Sequence, residues 1–326
     1  MTLEMSLLTI VSVSSTIVII LFVILVFIYL MTNPYPNILR SASEEKYYDP
    51  NEQVYKVFPK IKDSGSINLS VIVPAYNEES RLPEMIDEAL QYLEKYGIEK
   101  SISYEIIIVD DGSSDKTTDI ALEYSQKYTT NIIRVLTLDK NRGKGGAVRL
   151  GMISARGKEL LFADADGATL FSELENLRNE LKIQLNRSDC NMALVCGSRA
   201  HLQKDSIVKR SIFRTILMYG FHFWVWILCN PRIKDTQCGF KLFSRSAARL
   251  LFGNLHVERW AFDVDILYLA AHFRIPVGEV CVTWTEKDGS KLVPIFSWLQ
   301  MAKDILMIRL RYMLGAWKIE PPHKLE

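Results

Sequence analysis

The sequence predicts an α/β protein whose mainly parallel central sheet is flanked by helices, with one N-terminal transmembrane helix and amphipathic helices at the membrane interface. Two observations predict the sheet. Short β-rich runs alternate with helical patterns from residue 69 to residue 197, and the apolar run Leu160-Leu161-Phe162 reads as a buried strand. A third observation predicts the anchor: no charged residue occurs between Met5 and Leu39.

The aliphatic stretch at 6–31 would form a helix roughly 39 Å long at 1.5 Å per residue, enough to cross a hydrocarbon layer of about 30 Å. A cleaved signal peptide is not indicated, because the start carries Glu4 rather than a basic residue and no small-residue cleavage site follows. Basic residues collect after the helix, at Arg40, Lys46, Lys56, Lys60 and Lys62, and none precedes it. That asymmetry predicts a single-pass protein with its C-terminal part in the cytosol. Residues 1–32 are therefore read as the anchor. Residues 33–67, polar and marked by Pro34, Pro36, Pro50 and Pro59, are read as a linker or wrapping segment.

From there the expected strands lie at 69–73, 104–110, 132–137, 160–163 and 192–197, with helices at 82–96, 116–127, 145–155 and 174–185 between them. The predicted catalytic domain spans 68–290. The apolar stretch at 216–229, with Phe221, Phe223, Trp224 and Trp226, is only about 14 residues, short for a crossing, so 206–230 is read as an inserted interface helix. A C-terminal amphipathic interface helix and tail are expected in 291–326, where Trp298, Leu299, Ile305 and Ile308 mix with Lys303, Arg309 and Arg311.

Composition narrows the function. With 326 residues, a net charge of +1 and 24% charged residues, the chain shows no global signal for nucleic-acid binding. Its five cysteines, Cys190, Cys196, Cys229, Cys238 and Cys281, include no Cys-X-X-Cys, so neither zinc nor a disulfide framework is indicated.

In doubly wound sheets, ligands sit beyond the C-terminal ends of the strands, so the loops there carry the chemistry. The first strand runs into Pro74-Ala75-Tyr76-Asn77-Glu78, which offers a ring to cover a base and an acid. The second runs into Asp110-Asp111-Gly112-Ser113-Ser114-Asp115, where Asp110 could accept from a ribose or a pyrimidine imide; the same segment is also ordinary turn and cap chemistry. The third leads to Asn141-Arg142-Gly143-Lys144-Gly145-Gly146-Ala147. This glycine-rich loop opens a helix and presents N–H groups and Lys144 to anionic oxygens, without the spacing of a P-loop or a dinucleotide fingerprint. The fourth ends in Ala163-Asp164-Ala165-Asp166-Gly167-Ala168-Thr169. Asp164 and Asp166 fall on one side of an extended chain, and paired carboxylates suit Mg²⁺ or Mn²⁺ kept partly hydrated beside a diphosphate.

Taken in order, these four segments resemble the family 2 glycosyltransferases, which have a GT-A fold. The resemblance runs from residue 69 to about residue 285. The later segments 197–202, 235–243 and 256–265, together with the anchor, are similar to the branch of that family that glucosylates dolichyl phosphate. Leu170 departs from the pattern, which has a lysine there.

The resemblance implies an inverting, metal-dependent hexosyltransferase that takes UDP-glucose and dolichyl phosphate and makes dolichyl β-D-glucosyl phosphate and UDP. It implies residence in the endoplasmic reticulum membrane, in service of protein N-glycosylation. Pro74, Ala75, Tyr76, Glu78, Asp110, Gly112 and Lys144 would surround UDP, Asp164 would lie near ribose and metal, and Asp166 would be the main metal ligand. Arg199, Lys209, Arg210 and Arg214 could meet the acceptor phosphate, Arg210 and Arg214 sharing a face if 206–228 is helical; a belt against anionic headgroups is the other reading. Asp235 would orient the sugar or these arginines. Asp263 and Asp265 would cap or line the cleft, or hold the turn at Trp260. The expected partners are UDP-glucose, dolichyl phosphate and the bilayer, with no nucleic acid and a homo-oligomer left open. Alternatives are a dolichyl-phosphate mannosyltransferase using GDP-mannose and a tethered, non-catalytic nucleotide-sugar-binding protein.

Overall fold

The computed structural model describes residues 2–201, 233–287 and 296–321. Helix α1, Thr2–Leu30, is the apolar stretch, and within it Val11–Leu30 has a mean hydropathy of 3.0 with none of its length buried. A helix so apolar and so uncovered lacks a protein partner for its surface, as a membrane span would.

The main body is built on a seven-stranded sheet. In chain order its strands are β3 (Ile67–Ala75), β4 (Tyr104–Asp110), β5 (Ile133–Thr137), β6 (Gly157–Ala163), β7 (Leu194–Ser198), β8 (Phe240–Ser244) and β9 (Val277–Cys281). Their spatial order is β5-β4-β3-β6-β8-β7-β9. All neighbours are parallel except β8, which runs antiparallel to both β6 and β7.

Strand alternation divides the sheet between two cores. Leu69, Val71 and Val73 face helices α2 (Leu82–Lys100), α3 (Thr117–Tyr128) and α5 (Leu174–Asn186). Ile72, Val109 and Phe162 face α4 (Lys144–Ile153), α6 (Arg245–Asn254) and α7 (Phe262–His272). Both faces are covered, which explains why these strands read as continuous apolar runs.

Two segments are given a definite use by the fold. Residues 33–66 wrap the body: they contain an antiparallel hairpin of β1 (Lys46–Asp49) and β2 (Val54–Val57), and β1 packs beside β5. Arg40 donates to Ser154 Oγ at 2.8 Å, Ser43 donates to Asp139 at 2.8 Å, and Lys318 N donates to Pro34 O at 2.7 Å. Helix α8, Phe296–Met313, was expected to lie among lipid headgroups, but it places Met301, Ile305, Ile308 and Tyr312 inside the protein. An amphipathic stripe is satisfied equally by a core, and here Ile305, Ile308 and Tyr312 join the core that α4, α6 and α7 share.

Candidate active site

The parallel register sets Ala75 beside Asp110, so the loops after β3 and β4 leave the sheet at the same level. They are then laced together. Asn77 takes a left-handed conformation, φ 52°, and its N–H donates to Ser113 Oγ at 2.9 Å. Ser114 N returns a bond to Asn77 Oδ1 at 2.8 Å, and Glu78 N donates to Thr117 Oγ1 at 2.8 Å. Tyr76 stays 40% exposed at the rim, whereas Glu78 accepts two bonds from Arg81, each 2.6 Å. Glu78 therefore shapes the loop through Arg81.

Asp110 is buried, and its two oxygens accept from Ser113 N at 3.0 Å and from Thr118 Oγ1. It closes the turn that Gly112 makes possible. Gly112 has φ +71°, and a Cβ there would stand 3.1 Å from Asn141 N, so only glycine lets this turn lie against the glycine-rich loop. Sequence reasoning missed the next residue, Asp111. Its carboxylate accepts from Arg142 N at 2.7 Å and Gly143 N at 2.8 Å, fixing the start of α4, and burial pushes its pKa up to about 6. The available signal was an acid one strand away from a loop rich in unsatisfied N–H groups.

Lys144 is the first residue of α4. Its Nζ lies 2.7 Å from Asp164 Oδ1 and 2.9 Å from Oδ2. The ammonium sits over the rings of Phe162 and Trp260, at 5.2 and 5.6 Å from their centroids. Asp164 follows β6 directly, and its N–H donates to Gly239 O at 2.9 Å. Gly239 is pressed against the carboxylate: a Cβ there would fall 1.8 Å from Asp164 Oδ2. Asp166 accepts from Ala168 N at 3.0 Å, and its carboxyl is held above the ordinary range by burial, with the charge of Asp164 adding to it. Two mutually repelling carboxylates at a strand end fit a divalent ion, which relieves the repulsion. Among the described residues no three His, Cys, Asp or Glu side chains gather as a cage.

On the other side of this pair, Arg199 grips Asp235 with Nε at 2.7 Å and Nη2 at 2.9 Å, and Asp235 also accepts from Arg199 N at 2.9 Å. Burial opposes ionisation of Asp235, but the guanidinium outweighs it and holds the carboxyl below its usual value. Arg199 also lies 5.4 Å from the Trp284 ring, and Trp284 bridges to Thr169 in the loop that carries Asp166. Asp235 thus orients one arginine. Lys209, Arg210, Arg214, His222 and the expected interface helix at 206–230 lie outside the described residues.

Asp263 and Asp265 do not line an open cleft. Asp263 pairs with Lys241 at 2.7 Å, both side chains buried, and Lys241 also donates to Cys238 O at 2.6 Å. Asp265 accepts from His256 N at 2.8 Å, Val257 N at 3.1 Å and Tyr312 Oη at 2.7 Å. Their burial makes them scaffold. Asp265 holds the strip that ends in Glu258, whose carbonyl accepts from Gly146 N at 2.8 Å. The Glu258 carboxylate in turn meets Arg142 and Arg149, each at 2.9 Å. Both arginines also donate to Asn37 O at 3.1 Å, so the glycine-rich loop is tied to the segment that leaves α1.

The model for glycosyl transferase family 2 matches residues 70–252, which include every loop just described up to Asp235. A dolichyl-phosphate beta-glucosyltransferase of Homo sapiens is 56% identical over 288 residues, covering 88% of this chain and 89% of that protein. One from Saccharomyces cerevisiae is 43% identical, covering 87% of each. Among solved structures, glucosyl-3-phosphoglycerate synthase from Mycobacterium tuberculosis, crystallised with uridine diphosphate, superposes with a TM-score of 0.52 at 17% identity, over 77% of this chain and 81% of that one. That likeness shows the fold. Full-length similarity to the enzymes, added to the family match over the strand-end loops, places the chain plainly: it belongs to glycosyl transferase family 2, among the dolichyl-phosphate beta-glucosyltransferases.

Proposed function

We propose that the protein transfers glucose from UDP-glucose to dolichyl phosphate with inversion, yielding dolichyl β-D-glucosyl phosphate and UDP, at the cytosolic face of the endoplasmic reticulum membrane. The observation that carries this reading is the set formed by Asp164, Asp166 and Lys144 at the end of β6, with Lys144 Nζ 2.7 Å from Asp164. The kinship with dolichyl-phosphate beta-glucosyltransferases supports the choice of sugar and acceptor. An apolar helix followed by basic residues supports the membrane and its side.

Tyr76, Pro74 and Ala75 form the wall for the uridine, and Asp110 with Gly112 sets the floor on which the nucleoside rests. Lys144 pairs with the diphosphate. Asp164 and Asp166 would hold a divalent ion, Mg²⁺ or Mn²⁺, which when bound would neutralise charge on the departing UDP. The acceptor phosphate is already anionic near neutral pH, so no protein base has to deprotonate it. Arg199, held rigid by Asp235, draws that phosphate in, and Arg210 and Arg214 complete its surroundings. Attack on the anomeric carbon from the face opposite UDP converts the α-linked donor into a β-linked product.

Purified protein given dolichyl phosphate with either UDP-glucose or GDP-mannose tests this. The expected product is a β-linked dolichyl hexosyl phosphate from UDP-glucose alone, identified by mass and anomeric configuration. Hexose transfer from GDP-mannose in preference, or no transfer from UDP-glucose, would overturn the reading.

A further inference from the structure

One ammonium spans both oxygens of a single carboxylate here: Lys144 Nζ is 2.7 Å from Asp164 Oδ1 and 2.9 Å from Oδ2. It does so from a confined place, caged by the Phe162 and Trp260 rings. Gly239 keeps the carboxylate in that reach, because any side chain there would collide with it. A hard divalent ion held by Asp164 would draw on the same oxygens, and two cations crowded onto one carboxylate repel.

Around this contact the backbone is held, so any exchange of partner falls to the lysine side chain. Gly143 N donates to Asp111 at 2.8 Å and Gly146 N to Glu258 O at 2.8 Å, pinning the loop on both sides of Lys144. A lysine is a point charge on a flexible four-carbon stem, suited to exchanging one anionic partner for another. The neighbouring cations are engaged elsewhere, Arg199 with Asp235 and Lys241 with Asp263.

We propose that Lys144 is a built-in counter-ion that competes with the divalent cation for Asp164, and that the nucleotide diphosphate lifts the competition by drawing the ammonium onto its own oxygens. This rests on the reading that Asp164 and Asp166 hold a divalent ion. Its consequence is that the protein binds metal weakly until the sugar nucleotide arrives. The sugar nucleotide and the cation then enter cooperatively, each strengthening the other by the same factor.

The test is a Mn²⁺ titration of the full-length protein in detergent, read by electron paramagnetic resonance without nucleotide, because UDP itself chelates Mn²⁺. Lys144→Gln and Lys144→Met should each bind Mn²⁺ about tenfold more tightly than the unmodified protein, within the usual range for coupled sites. Lys144→Arg keeps the charge and should stay weak, and adding Asp164→Asn to Lys144→Gln should cancel the gain. Two neutral variants with different side chains, each checked by its unfolding midpoint, guard against a folding defect. If neither neutral variant binds more tightly while the unmodified protein with UDP takes up Mn²⁺ beyond what the same UDP alone chelates, the counter-ion role is wrong and the metal reading stands. If no form binds Mn²⁺ with or without UDP, both fall.

Discussion

His256 is a single residue placed where the exit from α1, the strip behind the candidate site and the C-terminal segment meet. Its ring stacks on Trp317 at 4.5 Å, its Nδ1 lies 3.2 Å from Tyr312 Oη, and its Nε2 lies 3.2 Å from Pro34 O. Burial pushes its pKa down to about 4, with the bond to Pro34 O working against that shift. The sign follows from linkage: the unfolded chain takes up the proton near pH 6.5 and the folded protein only near 4. His256 therefore costs no stability above pH 6.5, and stability is lost progressively as pH falls from there towards 4. The difference is worth at most about 3 kcal/mol, less after solvent screening. His256→Gln should flatten that limb, seen as a gap in unfolding midpoint between the two proteins that narrows as pH falls from 7 to 4. A gap that does not change with pH would contradict the assignment. Among individual residues, an Asp-X-Asp pair or a lysine in a glycine-rich loop is common in ordinary turns, and only the order of the four strand-end loops pointed to both; the fold brings Lys144 within 2.7 Å of Asp164. Asp111 and Glu258 were not legible, because their work is done across elements: one holds the N–H groups of Arg142 and Gly143, the other the N–H of Gly146 and two arginines.

Helix α8 poses the corresponding question for an element. Its stripe of Met301, Ile305, Ile308 and Tyr312 reads identically against lipid and against protein, since periodicity reports which face is apolar and not what covers it. The fold settles these side chains in the core, with the Tyr312 ring stacked on Tyr268 at 4.3 Å. Ile305, fully buried, should then behave as a core residue: Ile305→Ala is expected to cost about 2–5 kcal/mol in denaturant unfolding. A cost below about 0.5 kcal/mol would mean that the helix leaves the core in solution. Residues 33–66 were legible only as polar and aperiodic, because β1 and β2 have four residues each and gain their structure from the surface they pack on. That surface is not local. It includes Arg134, whose guanidinium lies 5.4 Å from the Tyr47 ring and 5.2 Å from the Phe58 ring while pairing with buried Glu105.

Across the molecule, the parallel half of the sheet was readable because each of its strands is followed by a helix, and that alternation has one common outcome. The reversal at β8 was not. Phe-Lys-Leu-Phe-Ser has no feature that distinguishes a parallel from an antiparallel strand, and its direction depends on the route the chain takes from 199 to 239. That same reversal brings Gly239 against Asp164 and Lys241 beneath Phe162, so the strand whose direction was hidden in sequence is the one that backs the acidic pair. The proposed reaction has one central requirement, that the carboxylates at 164 and 166 act through a divalent ion while an anionic lipid attacks. Initial rates of glucose transfer from UDP-glucose to dolichyl phosphate, measured with the metal chelated and then restored, and repeated with Asp166→Ala, test it most directly. The expected result is loss of transfer under chelation, recovery on adding Mg²⁺ or Mn²⁺, and a fall of at least about 100-fold in the variant when the metal is present. Undiminished transfer under chelation, or an Asp166→Ala protein as fast as the original, would contradict it.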